Sequence, residues 1–106
     1  VEGVKKGLGN ELYCAVLYVK ETNELVGMGR VVGDGGTVFH ICDMVVKPEW
    51  QRKGGGAMIM DALMEFIEGL GISDAYVNLI ADVDGFYEKW GFKSTRPRSK
   101  GMFLKS

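Results

Sequence analysis

Three consecutive glycines, Gly54, Gly55 and Gly56, stand directly before a segment with helical periodicity. Residues without side chains let the backbone approach a phosphate closely, and the unpaired amides at a helix N-terminus attract an anion. Residues 51–57 are therefore predicted to form a phosphate-binding loop that opens a helix. A turn-forming connector that binds no ligand is the alternative explanation of this run taken alone.

Two common phosphate-binding motifs fit this run poorly. The P-loop of nucleotide hydrolases places Lys and then Ser or Thr directly after its last glycine, but Ala57 and Met58 occupy those places here. A dinucleotide-binding fingerprint requires glycine or alanine three positions beyond its second glycine, where this chain has Ile59. The first motif is excluded, and the second is matched only weakly.

The pattern of the remaining residues indicates the elements that position this loop. Three apolar runs separated by polar or glycine-rich turns predict an antiparallel meander, and Pro48 ends its third strand because proline lacks the amide proton that a ladder requires. An amphipathic helix and another strand follow, which implies a parallel crossover. The predicted strands are 12–19, 25–32, 37–46 and 75–80, the predicted helices are 57–68 and 86–90, and further short strands are predicted at 92–94 and 102–105. The predicted fold class is α/β, with a mixed, mostly antiparallel central sheet and one parallel β-α-β crossover.

Two ordered segments of the chain resemble the GNAT (Gcn5-related N-acetyltransferase) superfamily. Residues 44–48, Met-Val-Val-Lys-Pro, followed by residues 51–57, Gln-Arg-Lys-Gly-Gly-Gly-Ala, resemble its central motif. Residues 86–92, Phe-Tyr-Glu-Lys-Trp-Gly-Phe, resemble its second motif. The resemblance runs from about residue 11 to the C-terminus and implies a single GNAT-like domain over residues 1–106. The strand and helix with which family members usually begin are not recognisable, and the chain has no initiator methionine, so the domain is expected to be incomplete at its N-terminus.

The resemblance implies that acetyl-CoA is the co-substrate and that backbone groups of two segments bind it. The pantetheine arm is expected between the strands that end near residues 46 and 80. A β-bulge at residues 43–44 would separate those strands, but the residues alone do not decide whether it forms. The expected cofactor-binding residues are Met44, Val45 and Val46 for the arm and Gln51, Arg52, Lys53, Gly54, Gly55, Gly56 and Ala57 for the pyrophosphate.

Acetyl transfer to an amine requires a neutral amine, a polarised thioester carbonyl and a proton for the leaving thiolate. Tyr87 matches the family tyrosine that donates this proton, so it is the expected general acid. His40 is the only histidine and lies on the strand that carries a basic residue in several family members, and imidazole is a common general base in enzymes. Asp43 or water could accept the amine proton instead. Purely structural roles for these three side chains are the competing explanation.

The function implied by the resemblance is that of an enzyme, a GNAT-type N-acetyltransferase. A primary amine of a small molecule or peptide would attack acetyl-CoA directly in a ternary complex. Nothing in the sequence identifies that acceptor. A coenzyme A binding module without catalysis and a different phosphate-binding α/β domain are the alternatives, and a homodimer is a further hypothesis.

Composition limits the other function classes. The 106 residues suffice for one core, and a net charge of -1 gives no basic field that would attract nucleic acid. No apolar stretch reaches the roughly 20 residues of a membrane span. Cys14 and Cys42 lie far apart, which favours buried thiols in a reducing compartment, and a cytoplasmic location is expected. No metal is predicted, because residues 82–85 imitate only part of a calcium loop.

Overall fold

The computed structural model describes residues 9–105, so the parts of the predicted domain at residues 1–8 and 106 lie outside the described residues. Its four strands are β1 (Tyr13–Tyr18), β2 (Leu25–Gly33), β3 (Val38–Val46) and β4 (Tyr76–Leu79). They form one sheet in the order β1-β2-β3-β4. The first three strands pair antiparallel, and β3 pairs parallel with β4. The predicted α/β class and the mixed sheet are confirmed.

The helix α1 (Gly55–Gly69) makes the crossover from β3 to β4 and covers one face of the sheet. Its apolar side packs against the inward-facing residues of the central strands, because residues three and four apart lie on the same face of a helix. The core is formed by Val31, Phe39 and Ile41 of the sheet and by Ile59, Met60, Leu63 and Ile67 of α1. This packing fixes the beginning of α1 beside the end of β3.

Several of the predicted elements differ from the observed ones. The helix begins at Gly55 rather than at residue 57, because the left-handed Gly54 (φ 86°) already acts as its N-cap. Residues 92–94 and 102–105 are not strands among the described residues. Met102, Phe103 and Leu104 are 87 to 98% exposed, so no burial offsets the entropy of ordering this segment as a strand. The predicted helix at 86–90 is a single 3-10 turn, Tyr87–Trp90.

The prediction of buried cysteines was also wrong. Cys14 is exposed and Cys42 is only partly buried, although both are free thiols. Alternate residues of a strand face opposite sides of a sheet, and the neighbouring Ala15 and Ile41 point into the core. The two thiols therefore lie on the face that α1 does not cover. No helix within residues 9–105 is long and apolar enough to cross a membrane.

Candidate active site

The N-terminus of α1 presents a row of unpaired backbone amides. The first intrahelical hydrogen bond runs from the amide of Met58 to the carbonyl of Gly54 at 3.1 Å, so the amides of Gly55, Gly56 and Ala57 have no acceptor within the helix. The first turn of α1 carries no acidic side chain that would compete for them. These donors, at the positive end of the helix dipole, suit an anion such as a pyrophosphate.

Glycine is required in this loop by shape as well as by conformation. A Cβ on Gly55 would lie 2.5 Å from Cδ2 of Leu17 on β1, which means that α1 begins in close contact with the sheet. At Gly54 a Cβ would meet no atom within 4 Å, but its positive φ of 86° strains any residue with a side chain. The glycines therefore bring the amides close to the sheet and leave the space in front of Gly54 open.

The loop before α1 is attached to the end of β3. The side-chain amide of Gln51 donates a hydrogen bond to the carbonyl oxygen of Val46 at 2.9 Å. The ammonium of Lys53 lies 5.2 Å from the centre of the Trp50 ring, and this cation–π contact keeps the positive charge close to the loop. Arg52 has a positive φ of 64°, which helps to turn the chain toward the helix. Thus the predicted pyrophosphate residues are held directly beside the strand that carries the predicted pantetheine residues.

The parallel pairing of β3 with β4 stops at the middle of β3. Partners run from Val38 and Tyr76 to Ile41 and Leu79, and no pair follows although β3 continues to Val46. At this point β3 contains a bulge toward β2. Met28 pairs with Val45 and Arg30 with Cys42, so Gly29 faces the two residues Asp43 and Met44. The residues alone did not decide whether a bulge forms at residues 43–44. The structure contains this bulge, and it lies where β3 and β4 separate.

A recess occupies the gap between the separated strands. It is lined by Ile41, Cys42, Asp43 and Met44 from β3, by Leu79, Ile80 and Asp82 after the β4 ladder, and by Tyr87. The structure therefore brings together the predicted general acid and one predicted pantetheine residue, Met44. Val45 and Val46 lie beyond the recess on the same strand, toward the glycine loop. Met44 is placed by packing, since its sulfur lies 2.6 Å from where a Cβ of Gly29 would be.

Tyr87 is held at the recess by aromatic contacts. Its ring packs edge to face with Phe86 at 5.0 Å and with Phe92 at 6.5 Å between ring centres. Burial, and secondly the nearby carboxylate of Asp82, raise the pKa of the Tyr87 phenol above its ordinary value. The hydroxyl has no hydrogen-bond partner in the part of the chain that the structure describes. A neutral phenol at physiological pH is in the protonation state that a proton donor needs.

His40 lies in the paired part of β3, outside the set of residues that line the recess. Its Nδ1 lies 2.6 Å from Oδ1 of Asn78, the residue opposite it on β4. The amide nitrogen of Asn78 donates to the carbonyl oxygen of Phe39 at 3.3 Å, so Oδ1 is the acceptor and Nδ1 of His40 is the donor. A neutral His40 therefore presents Nε2 as its proton acceptor. No pattern in the sequence points to Asn78, because only the β3–β4 register places it opposite His40.

Other residues at the site could not be read from the sequence. Cys42 and Asp82 line the recess only because the strands separate there, whereas Ile80 lies at the strand end where the sequence predicts the pantetheine arm. Asp43, the third candidate base, accepts a hydrogen bond from Nε of Arg30 at 2.8 Å. Within residues 9–105 no group of three or more His, Cys, Asp or Glu side chains could hold a metal ion.

The fold and the site together define an α/β domain in which a helix that begins with unpaired amides follows a split between two parallel strands. A family model, the acetyltransferase (GNAT) domain, matches residues 5–104. This chain belongs to the GNAT acetyltransferase family, and members of this family use acetyl-CoA. The resemblance that the two sequence motifs carry is thereby confirmed.

Individual relatives agree with this assignment. One relative is a protein of unknown function from meticillin-resistant Staphylococcus aureus, a probable acetyltransferase whose crystal structure is known. Its sequence is 45% identical to this chain and its structure matches with a TM-score of 0.92, over 99% of this chain and 79% of that one. A GNAT family acetyltransferase from Streptococcus pneumoniae is 25% identical with a TM-score of 0.83, over 100% of this chain and 80% of that one.

Among sequence relatives, GCN5-related N-acetyltransferase 1, chloroplastic, from Arabidopsis thaliana is 36% identical over 90 residues, which is 83% of this chain and 46% of that protein. The chain spans about half the length of the curated relatives that it matches.

Proposed function

We propose that this protein is an acetyl-CoA-dependent N-acetyltransferase that acts on a primary amine of a small molecule or peptide. The observation that carries the proposal is the placement of Tyr87 on the recess between β3 and β4, while the adjacent Phe86 has its Cζ 3.3 Å from where a Cβ of Gly56, in the first turn of α1, would be. The residues of β3 that line the recess would hold the pantetheine arm, and Tyr87 would face its thioester end. This is the arrangement that transfer from a bound thioester requires.

The glycine loop fits the pyrophosphate of coenzyme A for two reasons. The unpaired amides of Gly55, Gly56 and Ala57 provide hydrogen-bond donors, and Lys53 provides a positive charge that Trp50 keeps near the loop. The recess fits the narrow pantetheine arm, because the bulge at Asp43 and Met44 exposes backbone there instead of pairing it with β4. When bound, acetyl-CoA supplies the acetyl group as a thioester.

In the proposed reaction, the bond from the amine nitrogen to the acetyl carbon forms and the bond from that carbon to sulfur breaks. Tyr87 donates its hydroxyl proton to the departing sulfur, and the raised pKa of the phenol favours the protonated state from which it donates. A backbone amide of the bulge near Met44 meets the carbonyl oxygen. His40 lies outside the recess, so it accepts the amine proton through water, and it does so at Nε2 because Nδ1 is occupied by Asn78.

The test uses the full-length protein with acetyl-CoA and a panel of primary amines that includes polyamines, amino acids, aminoglycosides and peptides. Thiol release is followed with a chromogenic reagent, and coenzyme A binding is measured separately by calorimetry. We expect binding together with amine-dependent thiol release for at least one class. Binding without release across the panel would identify a non-catalytic coenzyme A module. Absence of both would leave another phosphate-binding domain and refute the proposal.

A further inference from the structure

The bulge on β3 contains an unusual backbone conformation. Asp43 has a positive φ of 55°, in the left-handed region that residues with a Cβ seldom occupy. The carboxylate of Asp43 is engaged across the sheet, where Nε of Arg30 donates to Oδ2 at 2.8 Å. Arg30 lies on β2 opposite Cys42, the residue just before the bulge. The ion pair therefore connects the strained residue to the neighbouring strand.

Arg30 is the fixed partner of this pair. Its side chain is 14% exposed, and Nη1 lies 3.7 Å from a carboxylate oxygen of Glu11, which is 12% exposed. The Asp43 side chain is 55% exposed. A planar guanidinium that contacts carboxylates on two sides loses little further freedom when it binds either one. Because the Asp43 end of the pair is exposed to solvent, the pair between Arg30 and Asp43 is expected to add little to global stability, and its effect is expected to be local.

The local effect concerns the recess. The β3–β4 ladder ends at Ile41, two residues before Asp43, and both Asp43 and Met44 line the recess. If Asp43 moved to an extended conformation, the bulge would disappear and the register of β3 against β2 would shift by one residue. Every side chain beyond Asp43 would then turn to the other face of the sheet. Met44 would then leave the position opposite Gly29, and the backbone groups of β3 that line the gap between β3 and β4 would point in a different direction.

We propose that Arg30 is a positioning residue, which holds Asp43 in the left-handed conformation and thereby keeps the gap between β3 and β4 shaped for the thioester arm. This inference rests on the proposed function. Arg30 does not touch the reacting atoms. Its contribution is the hydrogen bond that keeps the bulge in place before the arm binds.

The experiment combines Arg30→Met with Asp43→Gly. Methionine fills a similar volume without the hydrogen bond, whereas glycine adopts the left-handed conformation without needing an anchor. We expect Arg30→Met alone to weaken coenzyme A binding roughly 5- to 30-fold, the factor that corresponds to the penalty of a left-handed residue. In the Asp43→Gly background, the same Arg30→Met change should alter the dissociation constant less than about twofold, because the anchor is no longer needed. Arg30→Lys should restore part of the affinity.

Lys47→Met is the matched control. It removes another exposed ion pair, Lys47 with Glu24 at 2.9 Å, which contacts neither the bulge nor the recess, and it should leave the affinity unchanged. Equal weakening by Arg30→Met in both backgrounds, or no weakening in either, would overturn the proposal.

A readout without ligand separates this inference from the proposed function. The NMR backbone shifts and the amide–Hα coupling of Asp43 report its φ angle in the free protein. We expect them to change in Arg30→Met and to remain as in the unmodified chain in Lys47→Met. Unchanged values in Arg30→Met would refute the anchor even if coenzyme A binds. Failure of the unmodified protein to bind coenzyme A would refute the proposed function, while the NMR result would still decide the role of Arg30 in the bulge.

Discussion

The substitution Tyr87→Phe tests the proposed proton donor directly. It removes one oxygen atom and keeps the ring that packs against Phe86 and Phe92. The hydroxyl has no hydrogen-bond partner within residues 9–105, so its loss leaves no described donor or acceptor unpaired. The free energy of unfolding should therefore change by no more than about 0.5 kcal/mol. Any large loss of activity must then come from the chemistry rather than from the fold.

The expected loss is large. A positioned general acid contributes roughly 10²- to 10⁴-fold to a rate, which corresponds to about 2.7 to 5.5 kcal/mol of transition-state stabilisation. We expect kcat of Tyr87→Phe to fall by a factor in this range, while the KM for acetyl-CoA stays within about threefold, since a missing proton donor affects the transition state and not the bound ground state. Steady-state thiol release with an amine found in the panel measures both constants.

The pH profile supplies a second readout of the same substitution. The pKa of Tyr87 lies above its ordinary value, so the phenol stays protonated at neutral pH and loses its proton only as the pH rises through that raised value. The unmodified protein should lose kcat on this basic limb, and Tyr87→Phe should lack the limb. Tyr76→Phe, at an exposed position on β4, is the control and should behave as the unmodified protein. A Tyr87→Phe protein with kcat within threefold of normal and unchanged Tm would refute the assigned role.

Three further tests, made with single substitutions and their controls, address the packing, the loop and the base. Gly29→Ala would place a Cβ 2.7 Å from Cγ2 of the buried Ile59, so we expect the free energy of unfolding to fall by about 1 to 3 kcal/mol and Tm to fall by at least about 4 °C. Gly69→Ala is the control, because a Cβ there meets open space, and its Tm should be unchanged or slightly higher. Equal Tm values for the two variants would contradict this packing. Gly54→Ala should weaken coenzyme A binding roughly 5- to 30-fold in calorimetry because of its positive φ, and unaltered binding would exclude the loop as the pyrophosphate site. His40→Gln should lower kcat about 100-fold because it removes the proton acceptor Nε2, and Asn78→Ala should give a smaller loss; a kcat of His40→Gln within about threefold of normal would favour water as the base.

Several predictions from the sequence remain predictions. The cytoplasmic location, the homodimer and the absence of a nucleic-acid partner are among them. The amine panel is the experiment that identifies the acceptor.

Local patterns in the sequence sufficed for most of the fold. The strands and α1 follow from apolar periodicity, and their ends follow from turn and helix-breaking residues such as Pro48, because these signals act within a few residues of the chain. The prediction of two short strands after Gly91 was wrong, because strand formation there depends on distant residues and not on the local pattern. A short apolar run becomes a strand only if a neighbour pairs with it, and the described residues provide none.

For the site, the glycine loop and the motif that contains Tyr87 could be found from the residues alone, since each is a contiguous run whose residue types carry the chemistry. How these parts meet depends on the packing of the folded chain. The bulge at Asp43, the contact of Arg30 with it, and the pairing of His40 with Asn78 all depend on which residues lie opposite each other on neighbouring strands. That register is set by the packing of the whole sheet against α1, so distant residues decide it and no local pattern encodes it.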